Sequence, residues 1–439
     1  MSFYKICPEC NRNHNKNENE IWWCKTCNSK HFRDEFNNWT SENAKIDKFI
    51  QDAQLKASEG GEVIEWIPYD RFEDVKQIGK GGFGTIYYAM WIDGRIEGWD
   101  NRNHRWKRNG HSEVVLKTFD NFMNLNDVLN ETDNSSIRFH GITLDETGSK
   151  HKHMMVLQYA RDGNLREYLK INFNNINWFQ KLQKLWEISL RLTNIHALDI
   201  VHRNFHPGNI LSSNFENSIR ISDFGLSKLI RVNQNIPEKK NIFGVLPYIA
   251  PEVLSGEEYT KAADVYSYGI IAYELVTGFP PYLDIPHDQD LAMKICNGLR
   301  PKIIFHTPRF ITRIIMRCWD ARVTHRPTFK ELYRELNKYY YNYRDYLKEG
   351  KNKDSEIVIQ IKKAEEFSAK QESTNKKTTT NTTPLNYQTH PQAIYISRCL
   401  NYSNLPKPKN EENFERDIEE LTKSMSEHSG IINLDIPNF

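Results

Sequence analysis

The chain has 439 residues, 38% of them hydrophobic, which suffices for two domains or for one large domain with appendages. Its 59 basic and 57 acidic side chains leave a net charge of +2, so no charge excess points to nucleic acid or an anionic membrane as partner. The opening residues lack the apolar core of a secretory signal, and runs such as 269–273 fall far short of a membrane span; a soluble, cytoplasmic protein is expected.

Shifts in composition divide the chain into a Cys- and Trp-bearing head (1–39), a helical linker (40–68), a regular core (69–343) and a polar, mostly disordered tail (344–439). In the head, Cys7/Cys10 and Cys24/Cys27 are two C-x-x-C pairs separated by thirteen residues. Each pair turns two thiolates toward one point, and four thiolates complete a closed tetrahedral shell, so the spacing predicts a structural Zn²⁺. About 40 residues cannot bury enough surface to fold alone, and metal ligation of ~10 kcal/mol or more would supply the folding energy. An odd total of seven cysteines argues against a disulfide framework and for a reducing compartment. His14 and His31 are alternative ligands on sequence grounds, with surface positions the more usual place for lone histidines.

Ser41 is the predicted cap of a linker helix whose Ile46, Phe49, Ile50 and Ala53 share one face, with Gly60-Gly61 ending it. In the core, Ile78 opens a Gly79-x-Gly81-x-x-Gly84 pattern. β-branched and aromatic residues continue after Gly84 through Ile86, which predicts strand-loop-strand rather than the strand-to-helix turn of a dinucleotide fold. An insertion over 93–113 carries Trp99, Trp106 and a basic cluster, and reads either as an interaction hairpin or as a surface excursion. Val114-Val115-Leu116-Lys117 then predicts a buried strand ending in lysine. Downstream come Leu157-Gln158-Tyr159-Ala160, the stretch from Val201 to Leu211 (VHRNFHPGNIL), Asp223-Phe224-Gly225, Ala250-Pro251-Glu252, Asp264 to Gly269 and Arg326-Pro327. In the tail, 375–384 is low-complexity, while the stretches from Gln392 and from Phe414 are apolar enough for a short strand and a short helix that could dock.

These motifs in this order resemble a complete protein kinase catalytic domain, nearest to the tyrosine-kinase-like group. The head and linker helix resemble those of fungal kinase-like proteins with a C-x-x-C ribbon ahead of the kinase domain. The resemblance implies an α+β, bilobal fold: a small β-rich N-lobe and a large helical C-lobe, here with a zinc-ribbon-like module before it. It implies ATP and Mg²⁺ as cofactors. Gly79, Gly81 and Gly84 would bring backbone amides to the phosphates; Lys117, paired with Glu131 on a helix, would bind the α and β phosphates. Ile78, Ile86, Val115 and Leu211 would sandwich adenine, Gln158 and Ala160 would line the hinge, and Asn209 and Asp223 would hold magnesium. Val115 stands where alanine is usual, and its extra methyls face the purine.

Three departures bear on activity. Asn204 replaces the aspartate that handles the substrate hydroxyl's proton, and an amide cannot take that proton. Gly141 follows Glu131 by ten positions, fewer than the family usually has, so either the helix ends early or a short segment is missing. Residues 228–247 contain no Ser, Thr or Tyr, and the flanking Ser227 and Tyr248 read as structural. His206-Pro207-Gly208 carries neither the Ser/Thr-kinase lysine nor the Tyr-kinase signature, and Val245 replaces a threonine common in Ser/Thr kinases. The resulting expectation is an ATP-binding pseudokinase or weakly active kinase whose partner is a protein substrate or another kinase, without nucleic acid or membrane. The alternatives are an active kinase for protein Ser/Thr or Tyr, and an adaptor that works without nucleotide.

Overall fold

The computed structural model describes residues 5–14, 23–81, 84–118, 136–145, 152–223, 228–229, 242–303, 307–375 and 388–426. The chain separates into two compact units, 1–159 and 160–439.

The first unit is built on sheet. Strands β1 (Lys5–Ile6) and β2 (Asn13–His14) form a hairpin that positions the first cysteine pair, and helix α1 (Lys25–Glu35) starts beside the second. Helix α2 (Ala44–Lys56) follows. Its N-cap is Asn43, whose side chain accepts from the Lys45 N–H; Ser41 is turned instead to Asp47. The predicted face holds, because Ile46 and Ile50 pack with Ile64, Phe139 and Ile142. The helix stops before Gly60-Gly61, which open a short 3₁₀ turn.

Strands β3 (Glu65–Trp66), β4 (Phe72–Gly81), β5 (Gly84–Trp91), β8 (Ser112–Thr118), β9 (Phe139–Asp145) and β10 (Lys152–Gln158) make one sheet in the order β3-β9-β10-β8-β5-β4. Alternation along β8 follows the period of a strand: Val114 and Leu116 are buried with Ala89, Trp91 and Val156, while Val115 and Lys117 take the other face. The insertion forms a separate hairpin, β6 (Ile96–Asp100) and β7 (Arg105–Arg108). Its Trp106 stacks on Phe32 of α1 with ring centroids 4.1 Å apart and donates to Glu35 at 2.8 Å. The insertion is therefore the seat of the head, which decides between the two readings left open by its sequence.

The second unit is built on helices. Helix α6 (Lys261–Thr277) is buried almost throughout, from Ala263 to Thr277, and so forms the centre of the core. Two long helices, α4 (Trp178–Ala197) and α9 (Phe329–Glu349), pack together, each begun by a capping box: Asn177 with Gln180, and Thr328 with Glu331. The sheet-based first unit and helix-based second unit are the expected α+β architecture.

The described part of the tail is more built than its polar composition leads one to expect. Helix α10 (Glu356–Asn375) buries Ile357, Val358, Ile361 and Ala364 in the main core. Strand β16 (Arg398–Leu400) pairs with β15 (Ile242–Gly244), and helix α11 (Phe414–Ser426) packs on α8 (Arg309–Cys318). Long-range burial of a few apolar residues outweighs the local polarity. Among the described residues no helix is long and apolar enough to cross a membrane.

Candidate functional site

In the first unit the glycine pattern lies on β4 and β5, which pair Gly79 with Ile86 and Gly81 with Gly84. Gly84 has φ +126°, and a Cβ there would sit 2.5 Å from the Thr118 carbonyl oxygen. Only glycine fits, since both the backbone conformation and the space exclude a side chain. Thr118 Oγ1 accepts from the Thr85 N–H at 2.8 Å and ties the loop's end to β8. Lys117 precedes Thr118, paired with Ile86 on one side and Met155 on the other; Val115 pairs with Tyr88 and Leu157. Ile78 is 54% exposed, a position that leaves its side chain open to a ligand. Gln158 ends β10, its N–H donating to Arg138 O at 2.9 Å.

In the second unit one carboxylate organises the catalytic-loop motif. Asp264 of α6 accepts from the His202 N–H (2.8 Å), the Arg203 N–H (3.1 Å) and His196 Nε2 (2.9 Å). This holds Arg203 at φ +67°, a strained conformation for a residue with a side chain. His202 Nε2 meets Ser222 O at 3.0 Å, and burial pulls its imidazole below the ordinary range, against the pull of Asp264. Asn209 Nδ2 donates to Asn204 O at 2.8 Å, while the Ser222 N–H donates to Asn209 O at 2.9 Å. The next residue, Asp223, has φ +64°. Asn209 thus commits its amide nitrogen and keeps a hard oxygen, which with the Asp223 carboxylate suits Mg²⁺. Leu211 lies on strand β12 (Ile210–Asn214) and bridges to Asn164, four positions after Ala160.

Asn204 is buried. Its Oδ1 accepts from Ser397 Oγ at 3.0 Å, and its Nδ2 is buried with no hydrogen-bond partner among the described residues. His206, two positions on, has Nε2 3.2 Å from the same Ser397 Oγ, and its Nδ1 accepts from the Gly208 N–H at 3.1 Å. Burial, reinforced by Arg166, pulls the His206 imidazole down to about 3, so it is neutral. Sequence reasoning missed His206 and Ser397 as members of this site. The available signal was position: His206 stands where Ser/Thr kinases carry a lysine. Glu131, Phe224 and Gly225 lie outside the described residues. Tyr248 is structural as expected: it is buried, donates to Glu274 and accepts from Arg166 at 2.6 Å.

The head brings Cys7, Cys10, Cys24 and Cys27 together, with the four sulfurs all within 4.8 Å of one another. Cys7–Cys27 and Cys10–Cys24 are each 3.7 Å apart. A tetrahedron of zinc–sulfur bonds of about 2.3 Å has edges of about 3.8 Å, so the set fits that ion. Burial pushes the Cys24 and Cys27 thiols up, a cost that a dication would reverse. His31 is not a member: it stacks on Trp99 at 3.8 Å and meets Glu9 at 2.8 Å.

Residues 72–336 match the family described as protein tyrosine and serine/threonine kinase. Among curated relatives, a protein named as a serine/threonine-protein kinase/receptor in Acanthamoeba polyphaga mimivirus is 31% identical over 296 residues, 66% of this chain. The serine/threonine-protein kinase VIK of Arabidopsis thaliana is 28% identical over 278 residues, 61% of this chain. The dual specificity protein kinase splA of Dictyostelium discoideum is 28% identical over 283 residues, again 61% of this chain. These alignments take in 17%, 60% and 11% of the respective relatives' own lengths.

Proposed function

The chain belongs to the protein tyrosine and serine/threonine kinase family, and on that premise we propose that it is a cytoplasmic pseudokinase or weakly active kinase. In this reading it binds Mg·ATP and acts on a partner protein by allostery or scaffolding. The observation that carries the reading is Asn204. Around it Asp264 accepts from the His202 and Arg203 N–H groups and Asn209 donates to the Asn204 carbonyl, while an amide stands where the acceptor's proton should be taken.

Bound ATP and Mg²⁺ would supply the transferable phosphoryl group and the charge that neutralises it. Lys117 would hold the α and β phosphates, and the backbone around Gly79, Gly81 and Gly84 would cover them. Asn209 and Asp223 would supply the metal's oxygen ligands. By the resemblance, Ile78, Ile86, Val115 and Gln158 are the first unit's candidates to meet the base, and Leu211 and Ala160 are the second unit's. Asn204 can accept a hydrogen bond from a hydroxyl but cannot carry its proton away, which removes about 10² to 10⁴ in rate. In the head, Cys7, Cys10, Cys24 and Cys27 would hold one structural Zn²⁺, which fixes the cysteine turns so that Phe32 of α1 meets Trp106.

Radiolabel transfer from Mg·ATP tests the reading, comparing the native protein with Asn204→Asp. The expected outcome is a rise of about 10² or more in the variant. Equal rates would show that the native amide costs nothing and that the protein is an ordinary active kinase. Thermal stabilisation by Mg·ATP tests the nucleotide separately; none at saturation would leave an adaptor that works without it.

A further inference from the structure

Strand β16 adds to β15 in antiparallel register, with Ile242 opposite Leu400, Phe243 opposite Cys399 and Gly244 opposite Arg398. β15 lies just ahead of Ala250-Pro251-Glu252. Ser397 comes immediately before β16, and its hydroxyl sits between Asn204 and His206. The partners of those two bonds point to one direction for each. His206 is neutral and uses Nδ1 as an acceptor for Gly208, so its proton is on Nε2 and is donated to Ser397 Oγ. The hydroxyl hydrogen of Ser397 is then left for Asn204 Oδ1. A serine hydroxyl therefore points its hydrogen at the residue that replaces the proton-accepting carboxylate.

The flanking residues are held with equal definition. Arg166 donates to Tyr395 O at 3.1 Å, and its guanidinium lies 4.7 Å from the centre of the Tyr395 ring. Tyr395 OH donates to Pro281 O at 2.8 Å. Upstream, the His287 N–H donates to Gln392 O at 2.9 Å. Downstream, Leu400 is buried in the core. In contrast, Ile396 is 65% exposed and Cys399 is exposed. The groove thus holds an aromatic ring two positions before the hydroxyl and an aliphatic side chain three positions after it; Arg398 between them donates to His287 O, while Ile396 and Cys399 face outward. Tyr395 and Ser397 share the face turned to the second unit, and Ile396 takes the opposite face, as the period of an extended segment requires.

We propose that residues 392–402 are an internal substrate mimic: they occupy the acceptor-peptide groove of the second unit with Ser397 in the acceptor position. The same groove takes, in trans, an extended peptide with an aromatic residue at −2, a small hydroxyl residue at 0 and an aliphatic residue at +3. The assignment of an acceptor position rests on the kinase reading above. Backbone pairing with β15 supplies affinity and the two side-chain pockets supply selectivity, as in other strand-addition complexes. Asn204 makes the mimic stable, because it holds the hydroxyl without removing its proton and so retains the segment rather than consuming it.

The test uses the full chain and a fluorescein-labelled peptide of residues 390–404. Native protein should bind it poorly, because the groove is filled. Tyr395→Ala/Leu400→Asp should release the segment, expose the 242–244 amides to hydrogen exchange, and bind the peptide at least tenfold more tightly than native protein. Saturating peptide should restore protection at 242–244. If that variant does not fold, Ser397→Trp, which leaves the Tyr395 and Leu400 side chains unchanged but cannot fit between Asn204 and His206, serves as the release variant. The proposal is overturned if a chain shown by exchange to have released the segment binds no tighter than native protein. It is equally overturned if a Ser397→Trp peptide binds as well as the unchanged peptide. Peptide binding is measured without nucleotide, so failure of Mg·ATP to stabilise the protein would count against the kinase reading and leave the groove result standing.

Discussion

Arg326 holds Glu252 through two hydrogen bonds of 2.6 and 2.8 Å, with both side chains closed off from solvent. Arg326 also donates to Asp320 O at 2.7 Å and Ala262 O at 3.0 Å, so one guanidinium joins the Ala250-Pro251-Glu252 turn to the start of α6 and to the loop before α9. Removing one partner of such a pair strands the other charge in the core, at about 3–5 kcal/mol. Arg326→Ala is expected to lose that much in urea denaturation. The double replacement Arg326→Met/Glu252→Leu should lose less than the sum of its single replacements, since it leaves no stranded charge. Simple additivity would show that the pair is not coupled.

Much of this frame was legible in the sequence, for a physical reason. Arg326 with Glu252, Asp264 with His202, and Asn209 with the Asn204 carbonyl are polar residues held by specific partners, and each stands in a short motif of its own. The Cys set was legible because each C-x-x-C turn brings two thiols to one side of the chain, and two such turns converge on one point. In the tail the short strand after Gln392 and the helix from Phe414 were legible from their apolar residues, but where the strand docks was not, because Ser397 reaches Asn204 across 193 positions and β16 is held largely by backbone groups, which have no sequence signature. For the insertion an interaction hairpin was one of two readings, but its partner was not legible: Trp106 declares itself apolar but not what it covers. Asn43 rather than Ser41 caps α2 because Asp47 competes for the serine hydroxyl, a choice settled by geometry alone.

His140 gives the first unit a defined response to acid. It is buried in β9, its ring 5.7 Å from that of Trp91, and burial assisted by Arg138 and Arg95 pulls its pKa down to about 3. In the unfolded chain the imidazole takes up a proton near pH 6.5, whereas in the native state it does so only near 3. Protons therefore favour the unfolded state, and stability falls as pH drops from about 6.5 toward about 3. The loss from this residue reaches about 2 kcal/mol by pH 5. His206 acts in the same sense, so His140→Phe should flatten the pH dependence of the urea midpoint in part. A slope unchanged by that substitution would place the acid sensitivity elsewhere.

The cysteine cluster predicts one zinc per chain by native mass spectrometry at neutral pH. Because α1 begins at the second cysteine pair and carries Phe32 onto Trp106, a strong chelator should both release the metal and change tryptophan emission from Trp23 and Trp106. Trp106→Ala should raise sensitivity to the chelator, since it removes the stacking that holds α1 to the hairpin, at about 0.5–1.5 kcal/mol beyond the lost area. A metal-free protein with the native emission spectrum would sink the assignment.

Gly84 and Gly79 belong to one motif but carry different constraints. At Gly84 a methyl group would meet Thr118 O at 2.5 Å and Thr118 Oγ1 at 2.6 Å, on a backbone with φ +126°. Gly84→Ala must therefore move the strand end or break the Thr85–Thr118 hydrogen bond, at about 1–3 kcal/mol. At Gly79 the nearest atoms to a new Cβ would be those of Ile86 at 3.8 Å, an ordinary contact. Gly79→Ala should leave stability within about 0.5 kcal/mol. If the motif is a phosphate cover, both substitutions weaken Mg·ATP binding in calorimetry, Gly79→Ala through the ligand alone and Gly84→Ala through the fold as well. If it is only a turn, Gly84→Ala destabilises and Gly79→Ala changes neither quantity.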